Sequence, residues 1–268
     1  PVRILVVGYC TVILIGTMLL CLPFASADGA MTPLSDSFFT ATSAACVTGL
    51  IRFDTYTHWS LFGQLVILLL IQVGGLGFVT ISLFMHVLSR QKIGLSSRIL
   101  MREAVSAPQV GGIVRMTKLI LLGRLLIEGI GAAALALYFC PRLGLGEGLY
   151  YSAFHSISAF CNAGFDLMGR NGAFSSLTSA ASDWYVNIVI MLLILLGGLG
   201  FFVWRDLLET RGRCSKMRVQ TKLVLVMTAI LFLGGTVGFL ILEYNGNAYR
   251  GMGASDKLLA TMFQTVTM

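Results

Sequence analysis

Two short turns in a largely apolar chain resemble each other residue by residue. They are Cys46-Val47-Thr48-Gly49 and Cys161-Asn162-Ala163-Gly164. Neither turn contains a carboxylate, so the chemistry they offer lies in their backbone carbonyl oxygens, which can replace the hydration shell of a cation. Carbonyls that all face one axis require backbone angles that an L-residue resists and glycine adopts freely. We therefore interpret both turns as ion-coordinating segments, with Gly49 and Gly164 as the critical positions.

The two turns belong to a longer internal repeat. Residues 38–50 align with residues 153–165 at an offset of 115, and Gly74–Phe78 aligns with Gly197–Phe201 at an offset of 123. One insertion of eight residues in the second copy explains the change of offset. A third copy begins at Val219, and its last residues, 263–268, match residues 39–44. The chain is thus expected to hold about two and a half copies of one structural unit.

Composition indicates a polytopic membrane protein. Of the 268 residues, 56% are hydrophobic and only 12% are charged, against roughly a quarter charged in an ordinary soluble domain. Apolar runs of about 20 residues, long enough to cross a bilayer, predict five spanning helices. These runs are Ile4–Leu22, Leu61–Leu88, Leu119–Phe139, Tyr185–Trp204 and Leu223–Leu242.

Two further helices are predicted to enter the membrane without crossing it. The segments Ser35–Ala45 and Leu149–Phe160 are apolar but too short to span, which is typical of re-entrant helices. Each would end at one of the two turns, so that its carbonyl end, with partial negative charge, favours a cation there. The predicted fold is therefore all-α, with repeated helix, re-entrant pore helix and helix units around a central pore. Asp54 and Asp166 lie just beyond the turns, where we expect them to concentrate cations at the mouth.

Basic residues cluster in two of the loops. They are Arg90, Lys92, Arg98, Arg102, Arg115 and Lys118 in one loop, and Arg205, Arg211, Arg213, Lys216, Arg218 and Lys222 in the other. By the positive-inside rule these loops are cytoplasmic and the two turns open outward. The net charge of +7 therefore reflects topology, and no nucleic-acid partner is expected.

The motifs resemble those of one transporter superfamily. Val-Thr-Gly-Leu in the first turn, Cys-Asn-Ala-Gly-Phe in the second and Gln-Val-Gly-Gly-Leu-Gly-Phe at residues 72–78 are similar to the Ktr/Trk/HKT potassium uptake superfamily, and most of all to Ktr-type pore subunits. The resemblance implies four unequal repeats around one pore, a filter glycine in each, and a homodimer on a cytosolic nucleotide-binding regulatory subunit. It implies K⁺ as the transported ion, with Na⁺ as a coupling or activating ion, and no covalently bound cofactor.

This resemblance suggests boundaries for the repeats. We expect a first pore repeat at 1–92, a cytoplasmic loop at 93–114, a second repeat at 115–212 and the start of a third repeat at 213–268. The chain is expected to be a fragment, with a third filter glycine five residues beyond Met268.

Several residues allow a structural and a functional interpretation. Arg124 and Glu128 stand at i and i+4 on an apolar helix, where the favoured hypothesis is a structural ion pair and the alternative is a role in permeation or gating. His155 is interpreted as a buried polar contact and not as a metal ligand. The Gly-Gly-Leu-Gly motifs are interpreted as close-packing surfaces in preference to ion contacts.

Two other functions are compatible with parts of the sequence. A Na⁺-coupled carrier with alternating access also uses broken helices, but its repeats are commonly inverted, whereas both turns here are predicted to face the same side. A membrane-embedded hydrolase is disfavoured because the sequence contains neither a Gly-x-Ser-x-Gly nucleophile elbow nor a His-Glu-x-x-His zinc motif. The chain is therefore not expected to be an enzyme.

The predicted orientation can be tested by labelling. Single cysteines introduced at Gln91 and at Ser215 should react with an impermeant thiol reagent from the cytoplasmic side, and one at Asn171 from the outside. The unsubstituted protein, labelled in parallel, gives the background from the native cysteines. The reverse pattern would refute the topology and place the turns on the wrong side for uptake.

Overall fold

The computed structural model describes residues 2–76, 113–244, 246 and 249–268. In chain order the helices of these residues are α1 (Val2–Cys21), α2 (Leu34–Ala45), α3 (Thr55–His58), α4 (Leu61–Leu76), α5 (Ile113–Leu143), α6 (Leu145–Phe160), α7 (Trp184–Gly198), α8 (Phe201–Thr210), α9 (Val219–Glu243) and α10 (Ala254–Thr267). The described residues contain no β-strand, only one isolated bridge between Ser26 and Trp59. The predicted all-α fold is confirmed.

The chain divides into two compact units, Pro1–Ser176 and Leu177–Met268. In the first unit, α2 packs between α1 and α4, and α6 packs along α5. Both predicted re-entrant helices are present, as α2 and α6, with α6 starting four residues earlier than predicted, at Leu145. The second unit holds α7 to α10, with α10 packed against α9 and α7. The predicted boundaries of the repeats stay a prediction.

Two of the predicted spanning helices are continuous and long enough to cross a bilayer. They are Leu119–Leu143 and Val219–Glu243. Val6–Cys21 and Leu61–Gly75 form shorter apolar helices, and the rest of the second predicted span, up to Leu88, lies outside the described residues. Residues 93–112 of the predicted loop at 93–114 also lie outside them, as do the basic residues Arg90, Lys92, Arg98 and Arg102.

The prediction that the fourth span is one continuous helix is wrong. The chain bends by 96° between α7 and α8, so Tyr185–Trp204 is a broken span or a re-entrant segment. The break falls in the second Gly-Gly-Leu-Gly motif, where Gly200 adopts a left-handed backbone with φ of +79°. This conformation cannot continue a right-handed helix, and glycine adopts it without steric strain.

Asp54 joins the first repeat to the loop that follows the second turn. Its Oδ1 accepts hydrogen bonds from the backbone N–H groups of Tyr56 and Thr57, which caps α3, and its Oδ2 accepts one from Phe174 N–H at 2.9 Å. The side chain is buried. Asp54 thus has a structural role, because both of its oxygens accept hydrogen bonds from backbone N–H groups, while the expectation that it concentrates cations at the mouth stays a prediction.

Replacing Asp54 by Ala should destabilise the protein by about 2 kcal/mol, since it removes a helix cap and leaves N–H groups without acceptors. Thermal unfolding of the full-length protein in detergent would measure this loss. Asp183→Ala is the matched control, because Asp183 also caps a helix by accepting from two N–H groups, those of Tyr185 and Val186, but both lie on its own helix, α7. Equal losses for the two variants would show that the bond to Phe174 contributes nothing.

Candidate ion-coordinating site

The two re-entrant helices end in the same pattern of backbone hydrogen bonds. At the end of α2, Val47 N–H donates to Ala44 C=O at 3.2 Å and Thr48 N–H to Ser43 C=O at 2.9 Å. At the end of α6, the corresponding distances are 3.0 Å from Asn162 to Ala159 and 2.8 Å from Ala163 to Ser158. This is the Schellman arrangement, which satisfies the last helical carbonyls and turns the chain sharply. The N–H groups of the second and third residues of each turn are thereby bonded back to their helices.

The backbone angles of the two turns also agree. Val47 and Asn162 have φ of 57° and 61°, and Gly49 and Gly164 have φ of 72° and 74°. Glycine and asparagine tolerate the left-handed region, but a β-branched residue such as valine resists it. Val47 therefore keeps this conformation because the surrounding hydrogen bonds impose it.

The two glycines lie against each other. A Cβ atom at Gly49 would come within 2.5 Å of the carbonyl oxygen of Ala163 and 3.3 Å of the Gly164 Cα. A Cβ atom at Gly164 would meet the Gly49 Cα at 3.5 Å, an ordinary contact. The structure thus brings Gly49 against Ala163 and Gly164. The wider set of site residues predicted from the sequence stays a prediction, namely Cys46, Val47, Thr48, Gly49, Cys161, Asn162, Ala163 and Gly164.

Threonine and serine hydroxyl groups stabilise the two turns. Thr48 Oγ1 donates to Ser43 Oγ at 3.0 Å in the first repeat, and Ser158 Oγ donates to Phe165 C=O at 2.5 Å in the second. Ser43 and Ser158 occupy equivalent positions. The sequence comparison aligned them without assigning a role, although their recurrence at the offset of 115 was a usable signal.

His155 also supports the segment after the second turn. It is buried, and its Nε2 accepts from Leu167 N–H at 3.3 Å, so Nδ1 carries the proton and donates to Tyr151 C=O at 2.7 Å. Its interpretation as a buried polar contact is confirmed.

The third residue of each of the helices α2, α6 and α10 is acidic. These residues are Asp36 in α2, Glu147 in α6 and Asp256 in α10. A carboxylate at this place offsets the positive end of the helix dipole. In the first two helices the carboxylate also pairs with an arginine located after the turn, Arg52 to Asp36 at 2.7 Å and Arg170 to Glu147 at 2.6 Å. This recurrence was not predicted from the sequence.

The charged pair predicted on the third spanning helix forms part of a closed hydrogen-bonded ring. Arg124 Nε donates to Glu128 Oε1 at 2.6 Å, and both side chains are at least 95% buried. Arg124 Nη2 donates to Gln72 Oε1 at 2.7 Å, and Gln72 Nε2 donates to Glu128 Oε2 at 2.8 Å. Arg124 Nη2 also donates to Cys161 Sγ at 2.7 Å. Gln72 was missed as a partner, although an uncharged polar residue within an apolar run is a signal.

The first Gly-Gly-Leu-Gly motif lies beside both turns. A Cβ atom at Gly74 would collide with the carbonyl oxygen of Ala45 and the side chain of Val47, and one at Gly75 would come within 2.9 Å of Cys161 Sγ and 3.2 Å of Arg124 Nη2. These contacts agree with the close-packing interpretation of this motif, up to Leu76. In the second copy, a Cβ atom at Gly198 would meet nothing within 4 Å.

The geometry defines an all-α membrane protein in which two re-entrant helices end at paired glycine turns. Residues 2–267 match the TrkH family, described as a cation transport protein. The chain belongs to this family.

Relatives of established name cover the whole chain. It is 41% identical over 267 residues to the potassium/sodium uptake protein NtpJ of Enterococcus hirae, matching 100% of this chain and 58% of the relative. It is 41% identical over 270 residues to the Ktr system potassium uptake protein B of Bacillus subtilis, again matching 100% and 58%. The corresponding protein of Vibrio alginolyticus is 35% identical, with 99% and 57% matched. The chain thus spans less than two thirds of the length of these relatives.

Removal of one partner of the buried ion pair should harm assembly more than removal of both. Arg124→Leu leaves the Glu128 carboxylate without its counter-charge, which costs about 3–5 kcal/mol in a buried site, whereas Arg124→Leu combined with Glu128→Leu leaves no buried charge. The amount of folded full-length protein in the membrane measures the difference. Similar yields for the single and the double variant would argue against an ion pair that the fold depends on.

Proposed function

We propose that the protein contributes two of the filter segments of a potassium uptake pore in the cell membrane. In this role Cys46 to Gly49 and Cys161 to Gly164 present backbone carbonyl oxygens to K⁺, which replace part of its hydration shell. The observation that carries the proposal is the shared backbone geometry of the two turns, with a left-handed glycine at the end of each and the two glycines in contact.

The arrangement of hydrogen bonds supports this role. Because the first three N–H groups of each turn are bonded back to the pore helix, the backbone groups that remain are the glycine N–H and the carbonyl oxygens, a set dominated by acceptors, which attract cations. The re-entrant helices add the partial negative charge of their carbonyl ends. Family membership and the names of the relatives, which are potassium uptake proteins, agree with K⁺ as the ion.

Na⁺ enters as a second candidate ion. The Enterococcus relative is named a potassium/sodium uptake protein, which favours Na⁺ as a transported, coupling or activating ion. The pore arrangement is preferred over an alternating-access carrier, because the two re-entrant helices of the first unit are built to one pattern and their ends meet.

The partners and the orientation complete the proposal. The pore subunit works as a homodimer with a cytosolic nucleotide-binding regulatory subunit, and its basic loops face the cytoplasm, as the resemblance to Ktr-type subunits and the loop charges imply. In this assignment no residue of the chain carries out enzymatic chemistry.

Serine in place of either filter glycine should reduce the preference for K⁺ over Na⁺. Each substitution puts a Cβ on a left-handed residue, at about 1–3 kcal/mol of strain, and a tenfold change in relative affinity requires only about 1.4 kcal/mol. We expect a loss of about one order of magnitude, measured as K⁺ and Na⁺ uptake by the full-length protein in potassium-transport-deficient cells. Gly49→Ser should also assemble less well than Gly164→Ser, because its Cβ meets a backbone oxygen at 2.5 Å.

Gly144→Ser is the matched control for these variants. Gly144 also has a positive φ, of +84°, but a Cβ there would meet nothing within 4 Å. It lies at the start of α6, far along the helix from the second turn. If Gly49→Ser and Gly164→Ser keep wild-type selectivity at normal expression, the turns are not the filter and the proposed function fails.

A further inference from the structure

The buried ring of Gln72, Arg124 and Glu128 connects three parts of the chain at one point. Gln72 comes from α4 of the first repeat, Arg124 and Glu128 from α5 of the second, and the ring reaches the second turn through Cys161 Sγ. Cys161 is the residue at which α6 ends and the turn begins. Burying a charged group beside a filter turn costs desolvation free energy. The neutralisation of Arg124 by Glu128 does not by itself explain why a charge is buried there.

The guanidinium group of Arg124 donates hydrogen bonds from two of its nitrogens. Nε donates to Glu128, and Nη2 donates to both Gln72 and Cys161. The centroid of the Phe160 ring lies 5.6 Å from Arg124 Cζ. The main chain around the ring is fixed as well, because Ser156 Oγ donates to the Glu128 carbonyl at 2.7 Å and so joins α6 to α5. These contacts hold the planar guanidinium group of Arg124 in one position relative to Cys161.

The first turn is supported differently. Its equivalent cysteine, Cys46, is exposed, and the neighbouring contacts of α4 are made by Gly74 with Ala45 and Val47. The two turns therefore share their backbone geometry but not what lies behind them. In the first repeat the support is glycine packing, and in the second it is a hydrogen-bonded ring.

Resting on the proposed function, we infer that Gln72, Arg124 and Glu128 are positioning residues for the second filter segment. The ring fixes the side chain of Cys161, and with it the direction of the carbonyls from Cys161 to Ala163. Because Gln72 lies one turn before Gly75, which itself abuts Cys161, the ring also ties the position of that filter segment to α4 of the preceding repeat. Ion selectivity in the second segment therefore depends on residues that do not touch the ion.

The test replaces Gln72 by Leu in the full-length protein and compares it with Gln64→Leu. Gln64 is on the same helix, is more buried than the half-buried Gln72, and also makes two hydrogen bonds, to Trp59 C=O at 2.8 Å and from Tyr150 Oη at 2.9 Å. Competition of K⁺ and Na⁺ uptake, at matched amounts of protein in the membrane, gives the ratio of apparent affinities. We expect Gln72→Leu to lower the K⁺ over Na⁺ ratio by about three- to tenfold, the effect of losing one or two hydrogen bonds, and Gln64→Leu to leave the ratio unchanged.

Arg124→Lys is the second variant and carries the test if Gln72→Leu does not reach the membrane. Lysine keeps the charge balance with Glu128, but its single nitrogen cannot reproduce the planar fork that serves Glu128, Gln72 and Cys161 together. The same fall in selectivity is expected. Three results would overturn the inference in favour of a purely structural ring. The first is an unchanged ratio of K⁺ to Na⁺ affinity in Gln72→Leu, or in Arg124→Lys if Gln72→Leu does not reach the membrane. The others are an equal fall of this ratio in Gln64→Leu and the loss of both ring variants from the membrane.

The glycine variants separate this inference from the function on which it rests. If Gly49→Ser and Gly164→Ser lose selectivity while Gln72→Leu and Arg124→Lys keep it, the filter assignment stands and only the positioning role fails. If the glycine variants keep wild-type selectivity, the filter assignment itself fails.

Discussion

The structure of the candidate site depends on how the N–H groups of two non-helical turns are satisfied inside a membrane protein. Unpaired backbone groups at membrane depth cost several kcal/mol each, and water is not there to bond them. The Schellman hydrogen bonds solve this by returning the first N–H groups of each turn to the pore helix. Carbonyl oxygens outnumber the N–H groups that remain, and this imbalance between donors and acceptors makes each turn a potential cation site.

Much of this arrangement could be predicted from the sequence because it is repeated. One offset brought Cys46 and Cys161, and Gly49 and Gly164, into register, and two glycines at equivalent positions indicate a shared backbone requirement where one would indicate only a turn. The short apolar helices followed from their length. The left-handed conformation of Val47 could not be predicted, since valine is among the residues that resist it.

Side-chain partnerships were harder to predict because they depend on tertiary structure. The pair Arg124 and Glu128 was visible as an i, i+4 spacing, but Gln72 joins it from a helix about 50 residues away in sequence, and no local pattern announces such a contact. The structural role of Asp54 was missed for the same reason, because its partner at residue 174 lies 120 residues away in sequence. The break at Gly200 was hidden by hydropathy, which remains high across it.

The bond between Asp54 and the backbone of Phe174 has a consequence for the order in which the protein is made. Its two ends are separated by 120 residues, so when a ribosome has completed the first repeat, Asp54 still lacks one of the groups that bind it in the finished protein. Gln72 is in the same situation until Arg124 and Glu128 have been synthesised. Domains of large proteins usually fold as units from the N-terminus during synthesis, but here the first repeat reaches its final structure only once the second has been inserted beside it.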